Sequence, residues 1–308
     1  MLARLLWGVG VGELLLYGGL GWYLLGGWWL PLAVLLGFLG LRFVIVLAMF
    51  AIAARYHSPR PALPASGWLR LLIGEYRALL ACYLWLHPLA PWRARSVWGP
   101  WPSPYPPVIL IHGFFCNAGY WRPLQAYLAG RGVRTYTLDL APVFGSIDDY
   151  ARQLGERVEA VCRESGAPRV VLVGHSMGGL VARVYLGDSR HAARVARLLT
   201  LGSPHRGTVL ARLARGQNLL QMRLLSPWLD GLKRAATPLV PVVSLYSHHD
   251  NIVIPQDSSV LDGADNQAYC AIGHMALGLS PRIHQRLYQE ITGSPAPPRH
   301  GERCRGDR

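Results

Sequence analysis

The pentapeptide GHSMG at residues 174–178 constrains the fold of this chain more than any other segment. It follows the apolar run 169–173 and precedes an apolar stretch at 179–186, so the sequence predicts a buried strand, a tight turn and a helix. In a G-x-S-x-G turn between strand and helix, the serine adopts a strained backbone and projects its hydroxyl. Glycines are needed on both sides because larger side chains would collide where helix and strand approach each other.

Downstream of this turn, two further short strands each deliver one polar residue to a loop. The run 242–246 precedes Asp250, and the run 268–272 precedes His274. A serine hydroxyl becomes a nucleophile when a base accepts its proton and an acid orients the base. We therefore predict a catalytic triad of Ser176, Asp250 and His274.

Other titratable side chains near these motifs compete for the same roles. Asp257 is the alternative acid. His112 precedes the serine and is interpreted as part of a loop scaffold, whereas His175 lies inside the turn and cannot fold back onto its neighbour. The remaining candidates are interpreted as loop residues or caps: Asp139, His248 and His249.

Backbone N–H groups near the serine form the fourth predicted element. The buried run 107–111 is followed by a His-Gly pair, and an amide at such a strand end can point at the negative charge that develops on a carbonyl oxygen. We predict that the amides of Phe114 and Met177 form this oxyanion hole. The glycines of the turn and the loop are Gly113, Gly174 and Gly178.

These motifs resemble those of bacterial triacylglycerol lipases and related esterases of the α/β-hydrolase superfamily, in which the triad follows the order serine, acid, histidine. The resemblance rests on His-Gly at 112–113, GHSMG, GSPHRGT at 202–208 and LDGADN at 261–266, and it covers residues 105–292. It implies carboxylester hydrolysis through an acyl-enzyme. Some members carry calcium near the histidine loop, for which Asp257, Asp262 and Asp265 are candidates by position. Loop aspartates more commonly form turns, and we predict no metal and no cofactor.

Strands and helices alternate through the catalytic domain, which we place at 107–292. Strands are predicted at 107–112, 133–139, 169–174, 196–202, 241–247 and 267–272. Helices are predicted near 121–130, 147–164, 177–187 and 281–291. Such alternation predicts an α/β class with a mostly parallel sheet covered on both faces, and the resemblance implies the α/β-hydrolase fold.

An apolar insertion at 204–241 follows one of these strands. It is rich in leucine and includes Leu224, Leu225 and Trp228. Its position after a strand carboxyl end predicts a lid over an acyl pocket. An ordinary packed helix is the alternative interpretation.

The first 55 residues are predicted to be a membrane anchor. The apolar stretches 5–25 and 28–54 are each interrupted by one charge, Glu13 and Arg42 respectively. A spanning helix needs about 20 apolar residues, so two transmembrane helices joined by a tight hairpin fit. The two charges are expected to pair across the hairpin or to face a partner. A buried apolar helical domain is the alternative.

Arginines flank the hairpin at both ends and predict its orientation. Arg4 precedes the first span, and Arg55, Arg60, Arg70 and Arg77 follow the second. By the positive-inside rule, two spans place the catalytic domain on the cytoplasmic side of a bacterial inner membrane. A single span would place it outside.

Residues 56–106 are predicted to link anchor and enzyme. They contain an amphipathic helix at 68–80, which either packs on the catalytic domain or lies in the membrane interface. The tail 293–308 is rich in proline and arginine and is predicted to be disordered.

Composition narrows the choice of function. The net charge is +14, with 51% hydrophobic residues, but no nucleic-acid-binding motif accompanies the charge. Attraction to anionic lipid head groups is the better use of it. We therefore predict a membrane-anchored serine hydrolase of lipid or medium- to long-chain acyl esters, with the bilayer and the ester as partners. A thioesterase, an acyltransferase, or a non-catalytic membrane scaffold that retains the fold are the alternatives.

Overall fold

The computed structural model describes residues 2–93, 96–234 and 240–294. Within these ranges, seven strands form one sheet in the order β1-β3-β2-β4-β5-β6-β7. The strands are β1 (Val97–Trp98), β2 (Val108–Ile111), β3 (Thr135–Leu138), β4 (Val170–His175), β5 (Val195–Leu201), β6 (Val242–Ser247) and β7 (Asp265–Tyr269). Neighbouring strands are parallel except β1, which pairs antiparallel with β3. The predicted mostly parallel sheet is confirmed.

Twelve α-helices lie in the described ranges. They are α1 (Leu2–Leu25), α2 (Leu30–Tyr56), α3 (Ala65–Leu80), α4 (Ala90–Arg93), α5 (Arg122–Ala129), α6 (Ile147–Ser165), α7 (Met177–Tyr185), α8 (Ser189–Ala192), α9 (Gln217–Gln221), α10 (Pro227–Arg234), α11 (His274–Leu277) and α12 (Pro281–Thr292). A π-helical segment, Ala81–Leu86, continues α3. Every predicted helix of the catalytic domain is present, and no end differs from its predicted position by more than two residues.

The central strands bury both faces, because successive side chains of a strand point to opposite sides. One face packs against α6 and α7, and the other against α3, α5, α11 and α12. The first face includes Ile109, Ile111, Val170 and Leu172; the second includes Val108, Leu110, Val171 and Val173. Each such side chain contributes about 1.5–3 kcal/mol when fully buried, so β2 and β4 form the rigid centre of the domain.

Helices α1 and α2 form an antiparallel hairpin that turns at Gly26, where φ is 75°. Both are long and apolar enough to cross a membrane. Their one charged pair meets inside the hairpin. Arg42 donates from both terminal nitrogens to the two carboxylate oxygens of Glu13, at 2.7 Å each.

Helix α3 lies between the hairpin and the catalytic domain. Leu71, Glu75 and Leu79, spaced four residues apart on one face, are buried. On the hairpin side, the hydroxyl of Tyr76 donates to the carbonyl oxygen of Leu39 at 2.9 Å. The amphipathic segment predicted at 68–80 therefore has a protein neighbour on each side.

The segment before α3 is also attached to the catalytic domain. The amide of Ser58 donates to Gln256 Oε1 at 3.0 Å, and its hydroxyl donates to Asp257 Oδ1 at 2.8 Å. Residues 56–93 thus form a packed layer and not a free tether.

The insertion at 204–241 is partly packed. Its buried side chains include Leu219, Met222 and Leu229, and the indole N–H of Trp228 donates to the carboxylate of Asp148 at 3.0 Å. Leu225 is exposed and has a φ of 58°. That the insertion acts as a lid stays a prediction. The predicted disordered tail lies outside the described residues from 295 onwards.

Candidate active site

Ser176 occupies the tight turn between β4 and α7. Its φ of 54° and ψ of −124° lie in a region that a residue with a side chain rarely adopts. A Cβ atom on Gly174 would come within 2.5 Å of the Gly179 nitrogen, and one on Gly178 within 2.3 Å of the Ile111 carbonyl oxygen. The glycines therefore permit the close packing of β2, β4 and α7 that holds Ser176 in this conformation.

Asp250 and His274 form a buried hydrogen-bonded pair. The Nδ1 of His274 lies 2.8 Å from Asp250 Oδ2. The other carboxylate oxygen, Oδ1, accepts from the amides of Ile252 and Val253, at 2.8 Å each. With Nδ1 as donor, Nε2 of His274 is left as a hydrogen-bond acceptor. The loop after β6 thus presents the side chain of Asp250 to a histidine at the start of α11.

The charges around His274 set its basicity. Burial by itself lowers the pKa of His274, but the charge and hydrogen bond of Asp250, together with the charge of Glu75, outweigh burial and raise that pKa above its ordinary value of 6.5. A histidine accepts a proton only in its neutral form, so activity that depends on it should rise with pH through this raised pKa.

The end of β5 connects the serine to this pair. The amide of Ser176 donates to the Leu201 carbonyl oxygen at 2.8 Å. A Cβ atom on Gly202 would lie 3.2 Å from both Asp250 Oδ2 and His274 Nδ1. Among the described residues, Ser176 Oγ makes no hydrogen bond to His274. Such bonds are often long without substrate and tighten on binding.

The loop after β2 lies against the serine. A Cβ atom on Gly113 would come within 2.9 Å of the Ser176 Cβ. The Nδ1 of His112 lies 2.9 Å from the Gly113 carbonyl oxygen, and its Nε2 accepts from the Leu140 amide at 3.0 Å. His112 therefore fixes the shape of the loop that precedes Phe114.

The two amides predicted for the oxyanion hole belong to the residues that follow Gly113 and Ser176 in the chain. Met177 is the first residue of α7, so its N–H has no acceptor within the helix. Phe114 directly follows Gly113, and its ring lies 5.9 Å from that of Phe144. The predicted oxyanion hole thus has a helix N–H on one side and the aromatic rings of Phe114 and Phe144 nearby.

The competing residues have other partners. Asp257 accepts from Ser58, and Asp139 Oδ1 accepts from the Ala118 amide at 2.6 Å. His249 Nε2 lies 3.2 Å from the Pro61 carbonyl oxygen. The calcium candidates do not converge: Asp262 pairs with Arg206, Asp265 with Gln267, and no metal-binding group of three or more His, Cys, Asp or Glu side chains occurs in the described ranges.

Glu75 is a site residue that the sequence analysis missed. Its Oε1 accepts from the Met275 amide and its Oε2 from the Ala276 amide, at 3.0 Å each. It is 1% exposed, and burial raises its pKa, although the two backbone hydrogen bonds and His274 oppose this shift. The sequence signal that could have identified Glu75 is its position. It is a single carboxylate on the apolar face of α3, four residues after Leu71 and four before Leu79.

Comparisons with known proteins identify the fold. Residues 106–223 match the family model of the α/β-hydrolase fold. The structure resembles that of mature lipase BlEst2 from Bacillus licheniformis, with a TM-score of 0.56 and 16% identity, over 62% of this chain and 96% of that chain. The central part of the chain therefore has the α/β-hydrolase fold, and the predicted fold is confirmed.

Two triacylglycerol lipases are related in sequence. The one from Pseudarthrobacter phenanthrenivorans is 37% identical over 115 residues, covering 34% of this chain and 35% of the relative. The one from Burkholderia plantarii is also 37% identical over 115 residues, covering 34% and 31%. The chain thus spans about a third of the length of these curated relatives. The predicted resemblance to bacterial lipases is confirmed over that segment.

Glu75→Gln tests the link between α3 and His274. The amide NH₂ of glutamine cannot accept a hydrogen bond, so one buried N–H loses its partner at a cost of about 1–3 kcal/mol, and kcat/KM for a soluble ester should fall about tenfold. Removal of the negative charge should lower the pKa of His274, so the acidic limb of the pH–kcat/KM profile should move to lower pH. Glu156→Gln, at an exposed position, is the control. An acidic limb that stays in place would contradict the link.

Gly178→Ala tests the close packing at the turn. The new methyl group meets the Ile111 carbonyl oxygen, so we expect a loss of about 1–3 kcal/mol of stability. Gly231→Ala is the matched control, because its Cβ would meet nothing within 4 Å and alanine favours a helix by about 0.5–1 kcal/mol. Thermal unfolding of both variants decides: equal midpoints would show that the approach of β2 to α7 is not tight.

Proposed function

We propose that this protein is a membrane-anchored serine hydrolase that cleaves carboxylic esters with medium or long acyl chains. The observation that carries the proposal is the buried Asp250–His274 pair beside a serine in a strained G-x-S-x-G turn. Two relatives named triacylglycerol lipase support the same class of activity.

The proposed reaction is acyl transfer through Ser176. The hydroxyl oxygen attacks the ester carbonyl carbon while His274 takes the hydroxyl proton, and Asp250 stabilises the imidazolium that results. The carbonyl oxygen becomes an oxyanion that accepts from the amides of Phe114 and Met177. His274 then gives the proton to the leaving alcohol, and an acyl-enzyme remains.

Water completes the cycle by the same groups. His274 takes a proton from water, which attacks the acyl carbon, and the serine oxygen leaves as it regains that proton. Each step needs only groups of this chain and water.

The membrane location rests on α1 and α2. Each is apolar over a length sufficient to span a bilayer, and the arginines that follow the hairpin favour the cytoplasmic side for the catalytic domain. We therefore propose the cytoplasmic side for the catalytic domain, and a reporter fused to the C-terminus distinguishes this side from the opposite one.

The triad assignment predicts the outcome of single substitutions. Ser176→Ala, Asp250→Asn and His274→Ala should each lower kcat for ester hydrolysis by about ten-thousand-fold, and double variants should lose little more because the residues act as one unit. Circular dichroism checks that each variant folds. Asp257→Asn is the control and should retain activity. If Asp257→Asn lowered kcat strongly and Asp250→Asn lowered it only slightly, Asp257 would be the triad acid. A Ser176→Ala variant with wild-type kcat would overturn the proposed reaction.

Washing membranes that contain the protein tests whether α1 and α2 anchor it in the bilayer. The full-length protein should stay in the membrane fraction through high-salt and alkaline washes, because insertion of two apolar helices does not depend on ionic attraction. Immunoblotting of the wash and pellet fractions measures this. Release by salt alone would show a peripheral association and would remove the anchor from the proposal.

A further inference from the structure

A cavity of about 570 Å³ lies between the helical hairpin and the catalytic domain. This volume is within the range of small-molecule sites in proteins, roughly 300–1,000 Å³. Helices α1 and α2 form one side of it. The other side is formed by α3, the segment that continues it, and two loops and helix α11 of the catalytic domain.

The inner wall consists of neighbours of the site residues. Phe115 follows the proposed oxyanion donor Phe114, and Met275 follows His274. Ile252 also lines the cavity, and its amide holds the Asp250 carboxylate at 2.8 Å. The cavity thus reaches the loops that carry the acid and the proposed oxyanion donor, and the helix α11 that begins with the base.

The polar side chains of the wall already have partners among the described residues. Glu13 and Arg42 neutralise each other at 2.7 Å. The indole N–H of Trp7 donates to the Pro88 carbonyl oxygen at 3.1 Å, and the Tyr83 hydroxyl donates to that of Phe115 at 3.2 Å. With these groups satisfied, the cavity offers its contents mainly apolar surface, which favours a hydrocarbon occupant.

We propose that this cavity holds the acyl chain of the ester substrate and receives it sideways from the bilayer. The inference rests on the proposed function and deepens it: the substrate is a lipid ester whose chain lies between the hairpin and the catalytic domain while its carbonyl reaches Ser176. The two helices are then part of the substrate site as well as an anchor. This pocket, made largely by N-terminal residues, is distinct from the one predicted beneath the 204–241 insertion, which stays a prediction.

Gly10 offers a way to fill the cavity without disturbing the packing of the helix. It lines the cavity, and a Cβ atom there would meet nothing within 4 Å. Gly8 lies in the same helix, is equally free of neighbours and does not line the cavity. Gly10→Phe and Gly8→Phe are therefore a matched pair with the same change in composition.

The experiment uses the full-length protein in phosphatidylcholine vesicles, with p-nitrophenyl butyrate and p-nitrophenyl laurate as substrates. Each buried methylene contributes about 0.8 kcal/mol, so exclusion of only two methylenes lowers kcat/KM for laurate about tenfold. We expect Gly10→Phe to lower the laurate-to-butyrate ratio of kcat/KM by about tenfold or more, and Gly8→Phe to keep the wild-type ratio.

Two failures can be told apart. If the wild-type protein hydrolyses neither ester, the proposed function is overturned. If it hydrolyses both esters and Gly10→Phe keeps the wild-type ratio, the cavity proposal alone is overturned. An equal fall of the ratio in both glycine variants would also overturn it, because the effect would then belong to the hairpin and not to the cavity.

Discussion

The close approach of β2, β4 and α7 around Ser176 is the constraint on which the rest of the site depends. Carbonyl oxygens and amide nitrogens occupy the space that side chains at 174 and 178 would need. The backbone of Ser176 is therefore held at a φ of 54° by its surroundings, since the residue itself disfavours that conformation. The packing of the parallel sheet offsets the cost of this strain. As a result, the hydroxyl of Ser176 lies at the start of α7, beside the loop after β2.

Helix α3 links this centre to the N-terminal hairpin. One of its faces carries Glu75, which fixes the amides that follow His274. An adjacent residue, Tyr76, holds a backbone carbonyl oxygen of α2. A displacement of the hairpin would therefore be transmitted to His274 through helix α3. A carboxylate that is fully buried is costly unless hydrogen-bonded, and here two backbone donors offset that cost.

Much of the domain could be predicted from the sequence because its signals are local. The G-x-S-x-G turn, the His-Gly pair after β2 and the alternation of apolar strands with helices are contained in short windows of sequence. Asp250 and His274 were identified from their positions after strands, and the structure brings them within 2.8 Å of each other. Strand β1 could not be predicted from the sequence because two residues are too few to show a period of two. The role of Glu75 could not be predicted because an N–H that donates to its carboxylate lies 200 residues away in the chain. The cavity was missed for the same reason, since its wall combines residues that are distant in the chain.

The most direct test of the account is to identify the residue that reacts with an electrophile specific for activated serines. The full-length protein in membranes would be treated with a fluorophosphonate, digested and analysed by peptide mass spectrometry. The account predicts that the phosphonyl group is found on Ser176 and that His274→Ala prevents the modification, because the hydroxyl then lacks its base. Modification of a different residue, or ester hydrolysis that continues at the full rate when Ser176 is replaced by alanine, would contradict it.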